Sequence, residues 1–375
     1  MKIETLAVHA GQHPERGTRD VTSAIHLSTT FQKAEDGSLP GGYLYSRPGN
    51  PNREALEAAL ALLEGGAAAL AFSSGNAATF ALLQSLSPGD HVIVGEDVFY
   101  GTLVLLKTIM ANWGVTLTQV RMQDVAAVER AIKPATKLIW VETPSNPMLA
   151  VTDIRAIVAI AKKSGALVAC DNTVGTPMFQ RPLELGADIC MHSVTKYLSG
   201  HSDVLSGALI FREAGPRLER VRHIQQQGGS VPSPFECWLT LRGLQTFPYR
   251  ARAIAASAQR VAEFLSAHAK VEAVHYPGLP KHPGHQIAAG QMSGGFGGLM
   301  SMQIKGGQAD AFKVLAAVKI FTHATSLGGT HSLIEHRASV EGPDTRSPAN
   351  LLRLSIGLEH ADDLIEDLEQ ALKNL

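Results

Sequence analysis

Strand-length apolar runs alternate with helical periodicity over most of the chain, and this alternation is the feature that most limits the possible folds. The runs include "AALAFSS", "HVIVG", "KLIWVE", "ALVACD" and "ADICMHS". Segments such as "DIRAIVAIAKKSG" separate most of these runs and repeat apolar residues at helical spacing. Strands that alternate with helices form βα units, and such units build a mostly parallel sheet. The sequence therefore predicts an α/β fold.

Two parts of the chain depart from this alternation. Residues 1–50 end in "GGYLYSRPGN" and show no sustained period in their Gly-, Pro-, Ser- and Thr-rich part, which predicts an extended arm. Near the other end, a long helical stretch precedes strands around "VEAVHYPG" and "GGLMSMQI" and a closing helix "DDLIEDLEQALKNL". We therefore predict an arm at 1–50, an α/β domain at 51–245 and a smaller α+β domain at 246–375.

Charge and cysteine content argue against several classes of function. The 375 residues include 33 Lys and Arg against 34 Asp and Glu, so no positive excess favours nucleic acid or an anionic membrane as a partner. We expect a small-molecule substrate instead. Cys170, Cys190 and Cys237 are an odd set without a CxxC pattern, which favours a reducing compartment. Because the N-terminus has no apolar leader region and no apolar stretch reaches about 18 residues, we expect a cytoplasmic protein.

Polar residues that follow the predicted strands are the candidates for a binding site, since ligands gather at the carboxyl ends of parallel strands. "SSGNAA" follows the first run, Glu142 opens "ETPSNP", Asp171 opens "DNT", and the stretch from Ser193 to Lys196 follows "ADICMH". "SSGNAATFALLQSL" is a Ser-Gly turn that leads into an apolar helix, whose free N–H groups could hold a phosphate.

Each of these features has a simpler explanation when it is taken alone. A Ser or Asn cap on an ordinary helix explains the Ser-Gly turn about equally well. Asp171 could be a turn residue, and Lys196 could extend its ammonium into solvent. The combination favours a catalytic site, because a lysine amine, an acid about one βα unit upstream and a phosphate cradle are the parts that pyridoxal phosphate requires.

The order of motifs resembles the cysteine/methionine-metabolism family of pyridoxal-phosphate enzymes. This transsulfuration group includes cystathionine γ-synthase, cystathionine γ- and β-lyases and methionine γ-lyase. The resemblance covers nearly the whole chain and rests on "YSRPGNP", "SSGNAA", "YGT", "ETPSNP", "DNT", "SVTKYLSGHSD", "SLGG" and "LLRLSIGLE". It implies a fold of the aspartate-aminotransferase type (fold type I), with a mostly parallel central sheet and a smaller C-terminal α+β domain.

The resemblance also implies roles for individual residues. Lys196 would bind the aldehyde of pyridoxal 5'-phosphate and move the substrate α-proton, and Asp171 would keep the pyridine nitrogen protonated. Tyr100 would stack on the ring and help catalysis. The phosphate and the substrate carboxylate would be held by two further sets, respectively Gly75, Asn76, Ser193 and Thr195, and Asn146, Ser326 and Arg353.

Tyr45 and Arg47 lie in the predicted arm, which in the family reaches the cofactor phosphate of a neighbouring subunit. The resemblance therefore implies active sites shared between subunits and a homotetramer built as a dimer of dimers.

The sequence differs from the family at several positions that bear on its substrate. Asn76 stands where many members have Met, His26 stands where a tyrosine is frequent, and the loop at Tyr100 is one residue shorter. "THS" follows "SLGG" and places His331 where cystathionine-using members commonly carry an acid near the distal end of the substrate. We expect elimination or replacement at the γ-carbon, of the cystathionine γ-synthase or γ-lyase type. The alternatives are a methionine γ-lyase or cystathionine β-lyase activity and, more distantly, amino transfer.

Two other motifs predict no site of their own. "HPGH" and "HSLIEH" place His282 near His285 and His331 near His336, but no Cys or carboxylate completes a metal-ligand set, so we expect loop and packing histidines and no metal. "GGFGGLM" lacks the βαβ surroundings of a dinucleotide fingerprint and predicts the entry to a strand.

Overall fold

The computed structural model describes residues 1–12, 19–341, 345–373 and 375. The strands in chain order are β1 (Ala68–Phe72), β2 (His91–Gly95), β3 (Thr116–Val120), β4 (Thr136–Glu142), β5 (Leu167–Asp171), β6 (Ile189–His192), β7 (Gly207–Phe211), β8 (Val271–His275), β9 (Leu299–Ile304), β10 (Thr322–His323), β11 (Leu333–His336) and β12 (Leu351–Ser355).

The helices occupy most of the segments between these strands. They are α1 (Ile3–His9), α2 (Pro51–Glu64), α3 (Gly75–Gln84), α4 (Tyr100–Val104), α5 (Val125–Ala131), α6 (Ile154–Ser164), α7 (Thr176–Phe179), α8 (Pro216–Gly228), α9 (Pro234–Leu244), α10 (Phe247–Ala267), α11 (His285–Gln291), α12 (Gln308–Ala317), α13 (Arg337–Glu341) and α14 (Ala361–Leu372). A π-helical turn (Leu105–Ile109) and a 3₁₀ turn (Met110–Trp113) continue α4. No helix among the described residues combines the length and the apolar character that crossing a membrane requires.

Seven strands form the larger sheet, in the order β1-β7-β6-β5-β4-β2-β3. The pairs β2–β3, β2–β4, β4–β5 and β5–β6 are parallel, while β7 runs antiparallel to both of its neighbours. Successive residues of β2 enter different cores, since Val92 and Val94 pack on one face and Ile93 packs on the other. A sheet buried on both faces explains why its strands read as continuous apolar runs. The predicted α/β class and the mostly parallel central sheet are confirmed.

The smaller sheet has five strands in the order β10-β11-β12-β9-β8. The pairs β11–β12, β9–β12 and β8–β9 are antiparallel, and the short β10 pairs with β11 in parallel. Helices α10, α12 and α14 pack against this sheet or one another, and one apolar core connects them to α2 and α9. The sheet is confined to the last third of the chain, although the domain limits at 50 and 245 remain predictions.

The first residues differ from the predicted extended arm. Ile3–His9 is helical and contacts α2 and α10, because Ala7 and the following Ala10 present small apolar side chains that are buried there. The expectation of an extended conformation is therefore wrong for residues 3–9. Residues 13–18 of the predicted arm lie outside the described residues. Farther along, a single antiparallel bridge joins Thr30 to Tyr45.

The topology brings four strand ends to one edge of the larger sheet. Because β7 is antiparallel to both β1 and β6, those two strands run in the same direction. The carboxyl ends of β1, β4, β5 and β6 therefore all point the same way. The close approach of β7 to the turn after β1 requires a glycine, since a Cβ at Gly207 would lie 2.2 Å from the Ser74 carbonyl oxygen. The polar residues that follow these strands therefore meet at one place.

Candidate active site

A cavity of about 290 Å³ opens at the meeting point of these strand ends. It is lined by residues that follow these four strands, by Phe99 and Thr102 after β2, and by Leu205 and Leu327. The lining residues include Gly75, Asn76, Phe99, Glu142, Asn146, Asp171, Thr173, Met191, Ser193, Thr195 and Lys196. The strand-end prediction thus identified most of the residues that the fold brings together.

Lys196 lies in the turn after β6 and points its amine toward the smaller sheet. Its Nζ donates a hydrogen bond of 2.6 Å to the Ser326 hydroxyl oxygen. Burial, followed by the positive charge of Arg353, lowers the pKa of Lys196 from 10.5 to about 8. A larger fraction of this amine is therefore neutral near pH 7 than for an exposed lysine, and only the neutral form is nucleophilic.

Asp171 is the last residue of β5, directly opposite Met191 of β6. The Thr173 backbone N–H donates a hydrogen bond of 2.9 Å to its Oδ1. Burial raises the pKa of this carboxyl group, while the bonds from Thr173 and the charge of His192 oppose the rise. In the part of the chain that the structure describes, no Lys or Arg forms an ion pair with Asp171. The carboxylate is therefore placed to accept a proton or a donor from the cavity.

The N-terminus of α3 borders the same cavity and is held open by a glycine. The Ser74 hydroxyl oxygen caps the helix by accepting a bond of 3.0 Å from the Ala77 N–H. A Cβ at Gly75 would lie 3.0 Å from the Cβ of Ser193, so a larger residue there would displace the β6 turn. Free N–H groups of the first helical turn, together with the Ser193 and Thr195 side chains, make this corner suited to an anion.

Arg353 connects the cavity to the smaller sheet. It lies on β12, a central strand of the smaller sheet, and only 3% of it is exposed. Its guanidinium donates to the Asn146 side-chain oxygen at 3.2 Å and to the Ser326 carbonyl oxygen at 2.8 Å. The three residues predicted to hold a substrate carboxylate therefore form one connected group.

The backbone at Ser326 is unusual, because its φ of 85° lies in the left-handed region that non-glycine residues seldom adopt. This conformation accompanies its two contacts, from the Lys196 amine to its hydroxyl group and from Arg353 to its carbonyl group. Such strain is typical of residues that a functional site holds in place.

Sequence reasoning missed the charged residues that hold Arg353. Glu335 on β11 faces Arg353 across the strand pair and forms an ion pair of 2.6 Å with it, and Arg337 contacts the same carboxylate at 3.1 Å. Burial is the main cause that lowers the pKa of Arg353 to about 10. The alternation "LIEHR" places Glu335 and Arg337 on one face of the chain, which was the available signal, but only the pairing with β12 shows their partner.

Four predicted site residues lie outside this enclosed group. Tyr100 begins α4, is 46% exposed and lines a neighbouring cavity of about 600 Å³, whereas Phe99 lines the first cavity. Tyr45 is 45% exposed, and Arg47 donates to the Gln226 carbonyl oxygen at 2.5 Å on the surface of α8. His331 is exposed beside Thr330.

Comparison with known proteins decides the family. A sequence profile of the Cys/Met metabolism PLP-dependent enzymes matches residues 4–373. The chain belongs to this family.

Relatives and a solved structure agree with the family assignment. A cystathionine gamma-synthase of Mycobacterium bovis is 47% identical over 374 residues, 98% of this chain and 96% of that protein. Two Bacillus subtilis proteins, cystathionine beta-lyase MetC and cystathionine gamma-lyase, are 43% and 42% identical over 100% of this chain and cover 97% and 100% of their own lengths. The crystal structure of metB from Corynebacterium glutamicum superposes with a TM-score of 0.97 at 42% identity, over 100% of this chain and 98% of that one.

The Cys/Met metabolism enzymes depend on pyridoxal phosphate, and the donor set of the cavity fits that cofactor. A lysine amine whose pKa is lowered to about 8, a buried carboxylate and a helix end suited to an anion line one cavity. Gly75 leaves room for a phosphate next to Ser193, where a Cβ would intrude. Lys196 and Asp171 would hold the reactive aldehyde and the ring nitrogen, and the start of α3 would hold the phosphate.

Histidines of both motifs hydrogen-bond to backbone groups among the described residues. His285 bonds to the Pro277 carbonyl oxygen and His336 to that of Ala349, as expected for loop and packing histidines. A buried group of Glu64, Cys190 and His192 has the ligand types of a metal site. However, the 2.5 Å between His192 Nε2 and Glu64 Oε1 is a hydrogen-bond distance. Two ligand atoms of one tetrahedral ion, each about 2.1 Å from it, would stand farther apart.

Proposed function

We propose that this enzyme catalyses elimination or replacement at the γ-carbon of a sulfur-containing or O-acylated amino acid, in the manner of cystathionine γ-synthase or cystathionine γ-lyase. The main support for this proposal is that the Lys196 amine donates a hydrogen bond to the Ser326 hydroxyl group. The Ser326 carbonyl group in turn accepts one from Arg353, the proposed carboxylate-binding residue. One short chain of contacts thereby links the base, the cavity and the site for an amino acid. The 47% identity to a cystathionine gamma-synthase favours this reaction class.

The cofactor, when bound, supplies an electron sink that makes the α-C–H bond of an amino acid acidic. Arg353 and Asn146 orient the substrate by its carboxylate, for which a planar guanidinium fork is well suited. Lys196 then takes the α-proton on Nζ and carries it within the cavity, which requires the neutral amine that burial favours. Asp171 would keep the ring nitrogen of the bound cofactor protonated, and Tyr100 would assist departure of the substituent.

The competing activities differ in which bond breaks. A cystathionine β-lyase is nearly as similar as a γ-lyase, at 43% against 42% identity, so identity alone favours neither lyase. A methionine γ-lyase would accept the same geometry with a shorter substrate. Aminotransferases use the same lysine and acid, but the arm motif "YSR" and "SLGG" favour elimination or replacement.

The exposed arm supports a shared site in a homotetramer. Tyr45 and Arg47 would complete the phosphate site of a neighbouring subunit, and the start of α3 then binds the same phosphate from its own chain. The Arg47 side chain is exposed, and within its own subunit it bonds to the Gln226 carbonyl group and approaches the Tyr45 ring at 6.0 Å. Three buried free cysteines fit the reducing conditions of the cytoplasm, where we place the enzyme.

A substrate panel tests this function. The purified enzyme is incubated separately with cystathionine, homocysteine, methionine and cysteine, and with an O-acyl-homoserine plus cysteine, and products are identified by mass spectrometry. Cystathionine from the last mixture, or cysteine with a four-carbon 2-oxo acid from cystathionine, would support γ-chemistry. Release of homocysteine and pyruvate from cystathionine would establish the β-lyase alternative instead.

A further inference from the structure

Glu142, the last residue of β4, lies beside Asp171 in the sheet and lines the cavity, yet none of the roles above requires it. Both of its carboxylate oxygens are used. Oε2 accepts a bond of 2.7 Å from the Phe99 N–H, and Oε1 accepts a bond of 3.1 Å from the Asn146 N–H. One side chain thus joins two backbone segments that are 47 residues apart in sequence.

Each of these segments carries a residue predicted to act on the ligand. Phe99 precedes Tyr100 at the start of α4, and no side chain of its own caps that helix. Asn146 supplies the amide oxygen that Arg353 contacts. Both segments are loops, so nothing in the sheet itself fixes their separation.

The position of Glu142 carries an energetic cost. Burial and then the neighbouring Asp171 carboxylate raise the pKa of Glu142 well above its ordinary range, and the bond from the Phe99 N–H opposes this rise. Placing the Glu142 carboxyl group beside Asp171 in the cavity wall disfavours its charged form. A carboxyl group at this position therefore needs an explanation other than pairing with a positive charge. A bidentate contact with two N–H groups supplies one, because an amide or a hydroxyl cannot accept both bonds in this geometry.

We propose that Glu142 is a positioning residue that fixes the loop of Tyr100 to the turn of Asn146 across the cavity, so that the ring-facing and carboxylate-binding parts of the site are ordered together. This inference rests on the proposed function for the identity of the ligand. The positioning role of Glu142 does not depend on which reaction the enzyme catalyses.

Glu142→Gln tests the inference, because an amide has one acceptor oxygen and must turn its NH₂ group toward one of the two N–H donors. Hydrogen–deuterium exchange is followed by NMR or by mass spectrometry with residue-level fragmentation on the full-length holoenzyme without substrate. We expect the Phe99 amide, the Asn146 amide or both to exchange about ten- to a hundredfold faster, the range expected when a bond to a charged group is lost. The KM for the amino acid should rise more than kcat falls, since Asn146 loses its support.

Glu57→Gln is the matched control. Burial also raises the pKa of the Glu57 carboxyl group, and its Oε1 accepts a backbone bond from the Ala71 N–H, but neither of the two bonds to Glu142 involves Glu57. Its variant should leave exchange at Phe99 and Asn146 within about twofold of wild type. Glu142→Asp keeps the charge but shortens the reach, and it should resemble Glu142→Gln rather than wild type.

Unchanged exchange at both amides in Glu142→Gln would overturn the inference, as would an equal change in Glu57→Gln. If Glu142→Gln does not fold, amide exchange in the wild-type protein provides the test. Exchange at Phe99 and Asn146 as fast as in an exposed loop would contradict the two bonds, and strong protection of both amides would support them. The exchange readout needs no turnover. A failed substrate panel with altered exchange would therefore reject the proposed reaction and leave the positioning role standing.

Discussion

The enclosed part of the candidate site and its exposed part behave as two different kinds of structure. Lys196, Asp171 and Arg353 are held by hydrogen bonds, strand pairing or ion pairs within one chain. Tyr45 and Arg47 lie on the surface and make few contacts with their own subunit. The first group is complete in a single chain, whereas the second has the exposure expected of residues that act on a neighbour. Each prediction below tests one side of this contrast.

Lys196→Ala should have the largest effect, because it removes both the attachment point and the base. We expect turnover to fall to background. Reduction of the wild-type holoenzyme with borohydride should add the mass of the cofactor to the peptide that contains Lys196, as read by mass spectrometry. An adduct on another lysine would show that the enclosed group is not the reactive centre. Lys281→Ala, a change of an exposed lysine, is the matched control and should retain wild-type turnover.

Asp171→Asn should lower kcat by orders of magnitude, since the neutral amide no longer holds a proton at the ring nitrogen. Substrate KM should change less, because the bond between Arg353 and Asn146, the proposed carboxylate-binding residues, does not involve Asp171. Steady-state kinetics of the two proteins at matched cofactor occupancy provide the measurement. A kcat within a few-fold of wild type would mean that Asp171 is not the partner of the ring.

The pH dependence of cofactor attachment should show the effect of burial on Lys196. A lysine pKa lowered to about 8 leaves more neutral amine at each pH below 8 than an ordinary lysine has. The rate at which the apoenzyme takes up pyridoxal phosphate should rise about tenfold per pH unit below pH 8 and level off above it. Stopped-flow absorbance measures this rate, with a free lysine derivative correcting for ionisation of the cofactor. A rate that still rises steeply at pH 10 would contradict the enclosed environment.

How much of this contrast could be predicted depends on how far apart in the sequence the contacting residues lie. Strand ends follow from local apolar runs and from the rule that parallel strands present their carboxyl ends together, so Asp171 and Lys196 could be placed side by side without coordinates. The resemblance to the family added the role of Arg353 and the expected reach of the arm to a neighbouring subunit. In contrast, the bond between Glu142 and Phe99 joins residues 43 positions apart and depends on how a loop folds over the sheet.

Two features of the fold that the local sequence pattern does not reveal have similar causes. The helix Ile3–His9 gains its stability from packing against α2 and α10, a tertiary effect that its short sequence does not reveal. The antiparallel strand β7 reads as one more apolar run, and its direction depends on the long turn that precedes it. Local pattern therefore predicted the class of fold, while contacts between distant segments determined its exceptions.

Mixed subunits test the exposed part of the site, and the expected signal is the smallest of the four. Arg47→Ala and Lys196→Ala should each be nearly inactive alone. If the arm acts on a neighbour, a hybrid dimer has one site with an intact lysine and an intact arm and one site that lacks both. Random reassortment makes half of the dimers hybrid, so co-expression should recover about a quarter of wild-type activity.

The control for this experiment comes from the enclosed part of the site. Asp171 and Lys196 line one cavity of one chain, so mixing Asp171→Asn with Lys196→Ala gives a hybrid in which each site lacks one of the two groups. That mixture should recover nothing beyond the average of its two mutants. Equal recovery of activity in both mixtures would indicate that Asp171 and Lys196 of one site come from different subunits. No recovery in either mixture would place Arg47 within its own subunit's site. A difference between the mixtures is expected only if the exposed arm belongs to the neighbour's site and the enclosed group to its own.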